Sequence, residues 1–393
     1  MSTAPSSTRM HRPRDRKQQI IRAAADLFHR HGYANVSTGQ IAQAVGITAG
    51  ALYRHFGGKQ DLLAEALGDV FDRSLEFVSG DQPMDLETMV HELAATASVR
   101  PDLGVLWSRE TRHLDAGRLE ELRKRFFRFH ARFAAEVRAR RPELSAGDAD
   151  LLSFCALAVL TSVSYHRTPL SESATTDLIQ RAAMVVLTTP MEPSATSEVA
   201  TARGSGLAPH SRREAILAAA TSLFHDRGYQ AVTMEDIGAT VQVTSTAVYK
   251  YFPSKSDLLS AVISRASEPL QLGLTRALAA ASTPIEGLDN AMDAYVDFAL
   301  THHDLVGILV SEVTNLPDRP RHDVRRAQHD YVAEWVRLLT GARPDLDAAR
   351  ARHLVHAVLT VVNDAIRTEH LRSRPALAEE LRLIGRRLLA AEV

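Results

Sequence analysis

The sequence predicts an all-α fold built from two tandem copies of one helical unit. Apolar residues make up 45% of the chain and charged residues 24%, which is typical of a globular protein with a real core. Ala-, Leu- and Arg-rich runs favour helix and lack the period-2 alternation of strands. A chain of 393 residues is also too long for one ordinary domain.

An internal repeat divides the chain into copy 1 and copy 2. The stretch 16–33 recurs as 212–229, and the register holds without a gap as far as 62–63 and 258–259. A later motif, Arg-Pro-acidic-Leu at 141–144, recurs at 343–346. Between the copies, residues 189–209 are rich in Thr, Ser, Ala, Pro and Gly and indicate a linker.

The first element of copy 1 is a predicted helix over 14–31 that ends at Gly32, where a left-handed C-cap is expected. Ser37 is expected to cap a short helix over 38–44. Gly46 permits a tight turn, and Thr48 is expected to cap a third helix over 49–55. Two short helices joined by a turn containing Gly predict a helix-turn-helix, whose second helix can enter the major groove of DNA.

These residues resemble the TetR family of bacterial repressors. The resemblance is carried by Ile41–Phe56, Lys59 and Leu62-Leu63, and it covers both N-terminal modules closely. It implies a DNA-binding surface, with Tyr53, His55 and Lys59 at phosphate-contacting positions and Gly50 permitting close approach to DNA. The DNA-contact candidates of copy 1 are Ser37, Thr48, Ala49, Gly50, Tyr53, Arg54, His55 and Lys59.

Copy 2 departs from this pattern. Gln242 replaces the turn glycine, Thr246 replaces Gly50, and Glu235-Asp236 stand where copy 1 has Gly39-Gln40. Its DNA-contact candidates are Thr233, Thr244, Ser245, Thr246, Tyr249, Lys250, Tyr251 and Lys255. We expect weaker DNA binding than in copy 1, and the alternative is a second module that serves only as a scaffold for protein interaction or dimerisation. Because the recognition helices differ, an operator read by both is expected to be an imperfect palindrome.

The predicted domains are a basic arm (1–13), helix-turn-helix module 1 (14–58), helical domain 1 (59–188), the linker (189–209), module 2 (210–254) and helical domain 2 (255–393). The family resemblance implies that each helical domain binds a small-molecule effector and dimerises through its last two helices. Two linked copies suggest a pseudo-dimer within one chain, and a homodimer through each copy is the alternative. Predicted helices run over 60–78, 86–97, 101–113, 118–140, 146–166 and 174–187, then 256–281, 285–301, 303–314, 321–339, 347–370 and 375–391.

Effector-pocket candidates are aromatic and polar residues of these helices, for each of which packing alone is the competing interpretation. In copy 1 they are Trp107, Arg109, Glu110, His113, Phe126, Phe127, His130 and Phe133. In copy 2 they are Tyr295, Phe298, Glu312, Tyr331 and Trp335. The segment 107–114 resembles family regulators of fatty-acid or lipid metabolism, which ranks acyl-type effectors above sugars. Effector binding is expected to move the fourth helix and release DNA.

Charge and motif content argue against other classes. The net charge is −1, but Arg9, Arg12, Arg14, Arg16 and Lys17 form a local basic arm suited to phosphates. We find no phosphate-binding Gly-rich loop, nucleophile elbow or zinc-protease motif, and so expect no enzyme activity and no cofactor. Cys155, the single cysteine, is expected to be a buried thiol, and His353 and His356 lack a nearby acidic or thiol ligand for a metal. No uninterrupted apolar run of membrane length and no secretory signal is found, which favours the cytoplasm.

Overall fold

A computed structural model describes residues 13–80, 84–191 and 210–393, with side chains from Arg16 onward. Arg9 and Arg12 of the predicted arm and residues 192–209 of the predicted linker lie outside the described residues. The described residues contain helices and no strands, as the all-α prediction requires.

Module 1 contains three helices, α1 (Pro13–His31), α2 (Thr38–Ala44) and α3 (Ala49–Tyr53). The bounds of α2 are those predicted, whereas α3 ends two residues earlier than expected. Gly32 has the positive φ expected of it, 79°, but its ψ of 145° lies outside the left-handed helical region. This combination is open essentially only to glycine, so the residue remains required although the predicted cap conformation is wrong.

Five further helices and one distorted segment complete copy 1. The helices are α4 (Lys59–Val78), α5 (Leu86–Val99), α7 (Ala116–Arg140), α8 (Ala146–Thr161) and α9 (Glu172–Leu187). The single helix predicted over 101–113 is instead a short α6 (Leu103–Val105), a π-helical stretch (Leu106–Glu110) and a 3-10 turn (Thr111–His113). Gly104 lets this segment pack closely, because a Cβ there would lie 2.9 Å from the Thr161 carbonyl oxygen.

Copy 2 repeats this order of helices. Module 2 has α10 (Arg212–Arg227), α11 (Met234–Thr240) and α12 (Ser245–Tyr249). The helices that follow are α13 (Lys255–Ala279), α14 (Pro284–Thr301), α15 (His303–Ser311), α16 (Asp318–Ala342), α17 (Ala348–Arg367), α18 (Glu369–Arg372) and α19 (Leu377–Leu389). The predicted helix over 347–370 therefore ends at Arg367, and a separate short helix follows it.

Contacts group the described residues into two compact units. The first comprises the described part of Met1–Ser79 together with Val105–Phe129, and the second comprises Gly80–Gly104 together with His130–Val393. Within the second unit, α8 and α9 of copy 1 pack against α17 and α19 of copy 2. Side chains also cross between the copies there, since Arg374 pairs with Asp148 and His370 with Asp150.

Helix α8 and the turn after it, Ala146–Tyr165, are long and apolar enough to cross a membrane by composition, with a mean hydropathy of 1.5. An uninterrupted apolar run, the criterion applied to the sequence, is a stricter requirement that this segment does not meet. Two-thirds of the segment is buried against other parts of the protein, as in the core helix of a globular domain. Cys155 lies within it, fully buried, and burial raises the pKa of its thiol.

Candidate DNA-binding and regulatory sites

The recognition helix α3 presents its polar residues outward from an apolar anchor. Leu52 and Phe56 are buried in the core of module 1. The Thr48 hydroxyl caps α3 by accepting a hydrogen bond from the Ala51 N–H. The DNA-contact candidates left exposed on this face are Thr48, Ala49, Gly50, Tyr53, Arg54 and His55. Nothing lies within 4 Å of the position of a Cβ on Gly50, so this helix start is open to a ligand.

Tyr53 is 52% exposed, and its hydroxyl lies 3.0 Å from the Thr38 hydroxyl. This contact orients the phenol beside the start of α2, where a phosphate could also accept its proton. The equivalent Tyr249 is 47% exposed, but the residue equivalent to Thr38 is Met234, which is buried. Tyr249 therefore lacks the contact that orients Tyr53.

Ser37 and Thr233, the DNA-contact candidates at the starts of α2 and α11, are both engaged in capping boxes. Ser37 accepts from the Gln40 N–H and contacts the Gln40 side chain, and Thr233 pairs in the same way with Asp236. These hydrogen bonds lower the pKa of Asp236, so its carboxylate stays charged at the start of α11. Copy 1 thus has a neutral amide where copy 2 has an anion that opposes phosphate binding.

Lys59 and Lys255, the predicted phosphate contacts, direct their ammonium groups into their own modules. The Lys59 ammonium donates to the carbonyl oxygens of Tyr33 and Val36, at 2.6 and 2.8 Å, and lies over the Tyr33 ring. Lys255 makes the same three contacts with Tyr229 and Val232. Burial lowers the pKa of both lysines. Each lysine holds the turn after the first helix of its module.

Glu110 and His113, two predicted pocket residues, also contact this turn. The buried Glu110 carboxylate accepts the Tyr33 backbone N–H, and the His113 ring stacks on the Tyr33 ring with centroids 4.8 Å apart. Burial and the nearby cations Arg112 and Lys59 lower the pKa of His113 to about 4. These two residues, both pocket candidates, therefore connect the π-helical stretch and the 3-10 turn after it to module 1.

The remaining copy 1 candidates fall into separate groups. Trp107 packs on Phe126, with Phe71 beside both rings, and Arg109 is half-buried. Phe127 is 46% exposed and meets Phe126 edge-on. In the second unit, His130 is buried beside Asp150 and Phe154, and Phe133 is fully buried.

In copy 2, three of the pocket candidates, Tyr295, Tyr331 and Trp335, form one buried aromatic cluster. The Tyr295 hydroxyl donates to the Asn363 side chain at 2.7 Å. Phe298 stacks on His302 outside this cluster. Glu312 is buried and accepts a hydrogen bond from the side chain of its near neighbour Asn315 at 2.7 Å.

A group of three histidines, not anticipated from the sequence, lies where the two copies meet. His166 of copy 1 contacts His353 at 2.8 Å and stacks on His356, both from copy 2. The spacing of His353 and His356 was visible in the sequence, but no local signal pointed to His166. Among the described residues, no group of three or more His, Cys, Asp or Glu is arranged to hold a metal ion.

Module 2 also differs from module 1 in the backbone of its turn. Gln242 has a φ of 57°, the one positive φ among the described residues other than glycine. The equivalent Gly46 has a φ of 68°. The turn geometry is therefore retained in copy 2 at a conformational cost on the order of 1 kcal/mol, as the sequence suggested.

Comparison with known proteins agrees with the duplicated modules. The sequence model for "Bacterial regulatory proteins, tetR family" matches residues 20–66 and again 216–262. A second model, "Tetracyclin repressor-like, C-terminal domain", matches residues 281–367. Among solved structures, the regulator PfmR from Thermus thermophilus is 21% identical with a TM-score of 0.41, covering 47% of this chain and 99% of that one.

Two curated relatives come from Mycolicibacterium smegmatis. The HTH-type transcriptional activator FasR is 29% identical over 42% of this chain and 75% of its own length. The HTH-type transcriptional repressor KstR2 is 30% identical over 35% of this chain and 71% of its own length. The family model matches both N-terminal modules, and KstR2 is 30% identical over 71% of its own length. The chain therefore belongs to the TetR family of transcriptional regulators.

Proposed function

We propose that this protein is an effector-controlled, sequence-specific transcriptional repressor whose two copies act as a pseudo-dimer within one chain. The observation that carries the proposal is the surface of α3, where exposed polar residues stand on an anchor of Leu52 and Phe56. Such a helix can enter the major groove with its N-terminal residues at base edges. The packing of α8 and α9 on α17 and α19 supports pairing inside the chain.

Module 1 is the principal reader of the operator, and module 2 binds the other half more weakly. Three features of module 2 support this ranking: the carboxylate of Asp236 at the start of α11, the exposed Thr246 in place of Gly50, and the strained Gln242. Tyr249 at the end of α12 and the two residues that follow it, Lys250 and Tyr251, are exposed and would supply module 2 with DNA contacts. The operator is accordingly an imperfect palindrome. The second candidate function is that module 2 serves only as a scaffold for protein interaction or dimerisation. It is favoured by the Asp236 carboxylate, which opposes phosphate binding.

An acyl-type effector releases the DNA. This class is favoured by the resemblance of residues 107–114 to lipid regulators and by the adjoining rings of Trp107, Phe126 and Phe71. The contacts of Glu110 and His113 with Tyr33 offer a route by which a shift of this segment would move module 1.

A footprint on the DNA upstream of the chain's own reading frame tests the proposal, with wild type, Tyr53→Ala and Tyr249→Ala side by side. We expect Tyr53→Ala to abolish protection over one half of the site and Tyr249→Ala to weaken the other half. If Tyr249→Ala changes nothing, module 2 is a scaffold. If Tyr53→Ala also changes nothing, α3 is not the recognition element.

The effector is tested by repeating the footprint with palmitoyl-CoA, and with maltose as the control. Loss of protection with the thioester alone supports an acyl-type effector. Protection that persists at every palmitoyl-CoA concentration, although the thioester binds, contradicts release by this class.

A further inference from the structure

The surface through which the two copies meet carries an ion pair that crosses between them. The Arg374 guanidinium of copy 2 lies 2.6 Å from the Asp148 carboxylate of copy 1 and 2.5 Å from the Glu380 carboxylate of copy 2. All three side chains are more than four-fifths buried. Arg374 also lies against the backbone of Gly147, where a Cβ would approach its guanidinium to 2.9 Å. Removing one partner of such a buried ion pair is destabilising, because the remaining charge is left without a counter-ion and away from water.

The repeat allows each of these positions to be identified in the other copy. Arg141 donates to the carbonyl oxygens of Leu187 and Thr189, and Arg343 donates likewise to those of Leu389 and Ala391. Equivalent residues therefore differ by 202 in number at both ends of this region. The N-caps agree, since Ser145 caps α8 and Asp347 caps α17.

With this register, the charges at the crossing positions are exchanged between the copies. The position of Asp148 in copy 1 is that of Arg350 in copy 2, and the position of Arg374 in copy 2 is that of Glu172 in copy 1. Each position thus carries an acid in one copy and a base in the other.

Two further contacts across this surface, besides those of His166, lie close to the same two-fold relation. Asp150 of copy 1 pairs with His370 of copy 2 at 3.0 Å. On the other side, Thr168, which is equivalent to His370, contacts His353, one residue beyond the equivalent of Asp150. The surface is therefore close to symmetric in geometry while its charges are not.

From this exchange we infer that Asp148, Glu172, Arg350 and Arg374 determine which copy pairs with which, favouring copy 1 with copy 2 and opposing like with like. Two first copies meeting through the same surface would set Asp148 against Glu172. Two second copies would set Arg350 against Arg374. Only the mixed pair brings opposite charges together at the crossing, and like charges facing each other are the usual means by which proteins reject a wrong partner.

This inference rests on the pseudo-dimer of the proposed function, but its first test needs no DNA. A protease site is introduced between Met191 and His210, the folded chain is cleaved, and the native mass is measured. We expect every particle to contain one of each half, with a mass near the 43.1 kDa of the intact chain. Particles made of two first halves or two second halves would overturn the inference. A failed footprint with mixed halves would count against the proposed function only.

Charge reversal in the intact chain gives the second test. Arg374→Glu sets three carboxylates together and is expected to lower the melting temperature, whereas adding Asp148→Arg restores a base between two acids and recovers it. The control is Arg337→Glu, which reverses an exposed charge on α16. If Asp148→Arg gives no recovery, the crossing pair does not select the partner.

A redirected chain is the third test. In Glu172→Arg combined with Arg374→Glu, the mixed pair has like charges at positions 148 and 374 and at the equivalent positions 172 and 350, while each copy becomes complementary to itself. In the wild-type chain Arg350 pairs with Asp347 of its own helix, so the contact at 148 and 374 carries most of the expected effect. We expect the mass in solution to double, because the copies then pair between chains. A variant that stays at the mass of one chain and keeps the wild-type melting temperature would refute the inference.

Discussion

The backbone N–H of Tyr33 donates a hydrogen bond of 3.1 Å to the buried carboxylate of Glu110, 77 residues away in sequence. On its other side, the Tyr33 carbonyl accepts from Lys59 at 2.6 Å. The turn that follows α1 is therefore held by Glu110 of the π-helical stretch and by Lys59, the first residue of α4. Removing either contact should lower the stability of module 1.

Glu110→Ala is expected to destabilise module 1 by about 1–3 kcal/mol, because the Tyr33 N–H loses its acceptor while still screened from water. Glu110→Gln, which keeps a carbonyl oxygen in place, should cost less. Amide hydrogen exchange at Tyr33 measures the effect directly. Glu120→Ala, on the exposed face of α7, is the control. Unchanged exchange at Tyr33 in Glu110→Ala would show that this hydrogen bond does not hold the turn.

Lys59→Met should weaken DNA binding without changing its salt dependence. A phosphate contact contributes about 0.9 to the slope of log affinity against log salt, whereas a lysine that holds the Tyr33 turn contributes stability alone. The measurement is operator affinity from 50 to 200 mM salt. Arg54→Met, which removes an exposed charge from the end of α3, is the comparison and should flatten the slope. A flatter slope in Lys59→Met would return this lysine to the DNA surface.

The sequence was informative where local geometry decides the structure. Thr48 and Ser37 cap α3 and α2 as predicted, because a capping hydroxyl and its N–H donors lie within three residues. The roles of Glu110 and Lys59 could not be predicted, because their partners lie 77 and 26 residues away and are brought near only by packing. His166 and His353 are separated by 187 residues. The helix predicted over 101–113 is broken beside Gly104, whose close contact with the Thr161 carbonyl oxygen is likewise long-range and is not reported by periodicity.

Gln242→Gly should stabilise module 2 by up to about 1 kcal/mol, since glycine adopts a φ of 57° without strain while gaining freedom in the unfolded chain. The reverse change in copy 1, Gly46→Gln, should destabilise module 1 by a similar amount. No atom lies within 4 Å of a Cβ on Gly46, so the cost there is conformational and not steric. Hydrogen exchange of α11 and α2 measures the two effects. Equal stability of Gln242→Gly and wild type would mean that the strain at Gln242 is no larger than the freedom that glycine adds to the unfolded chain.

The histidines between the copies should make the second unit less stable as the pH falls from 7 toward 4. Burial and neighbouring positive groups lower the pKa of His166 to about 2 and that of His356 to about 4, and burial lowers that of His353 to about 4. Below about pH 6.5 the unfolded chain takes up protons that these buried rings do not. Stability is therefore lost in this window, at about 1.4 kcal/mol per pH unit for each histidine.

Charged groups around the three histidines also affect how readily the rings take up protons. Arg352 and His329 oppose protonation, whereas Asp347 favours it. Burial also raises the pKa of Asp364 to about 6, and this carboxyl takes up a proton in the folded state and partly offsets the loss. Unfolding free energies of wild type and His356→Gln, measured from pH 7 to pH 4.5, isolate one histidine, and the variant should show the flatter profile. His91→Gln, an exposed substitution on α5, should keep the wild-type slope. Parallel profiles for wild type and His356→Gln would mean that folding does not lower the pKa of His356, because only a pKa that differs between the folded and unfolded chain links stability to pH.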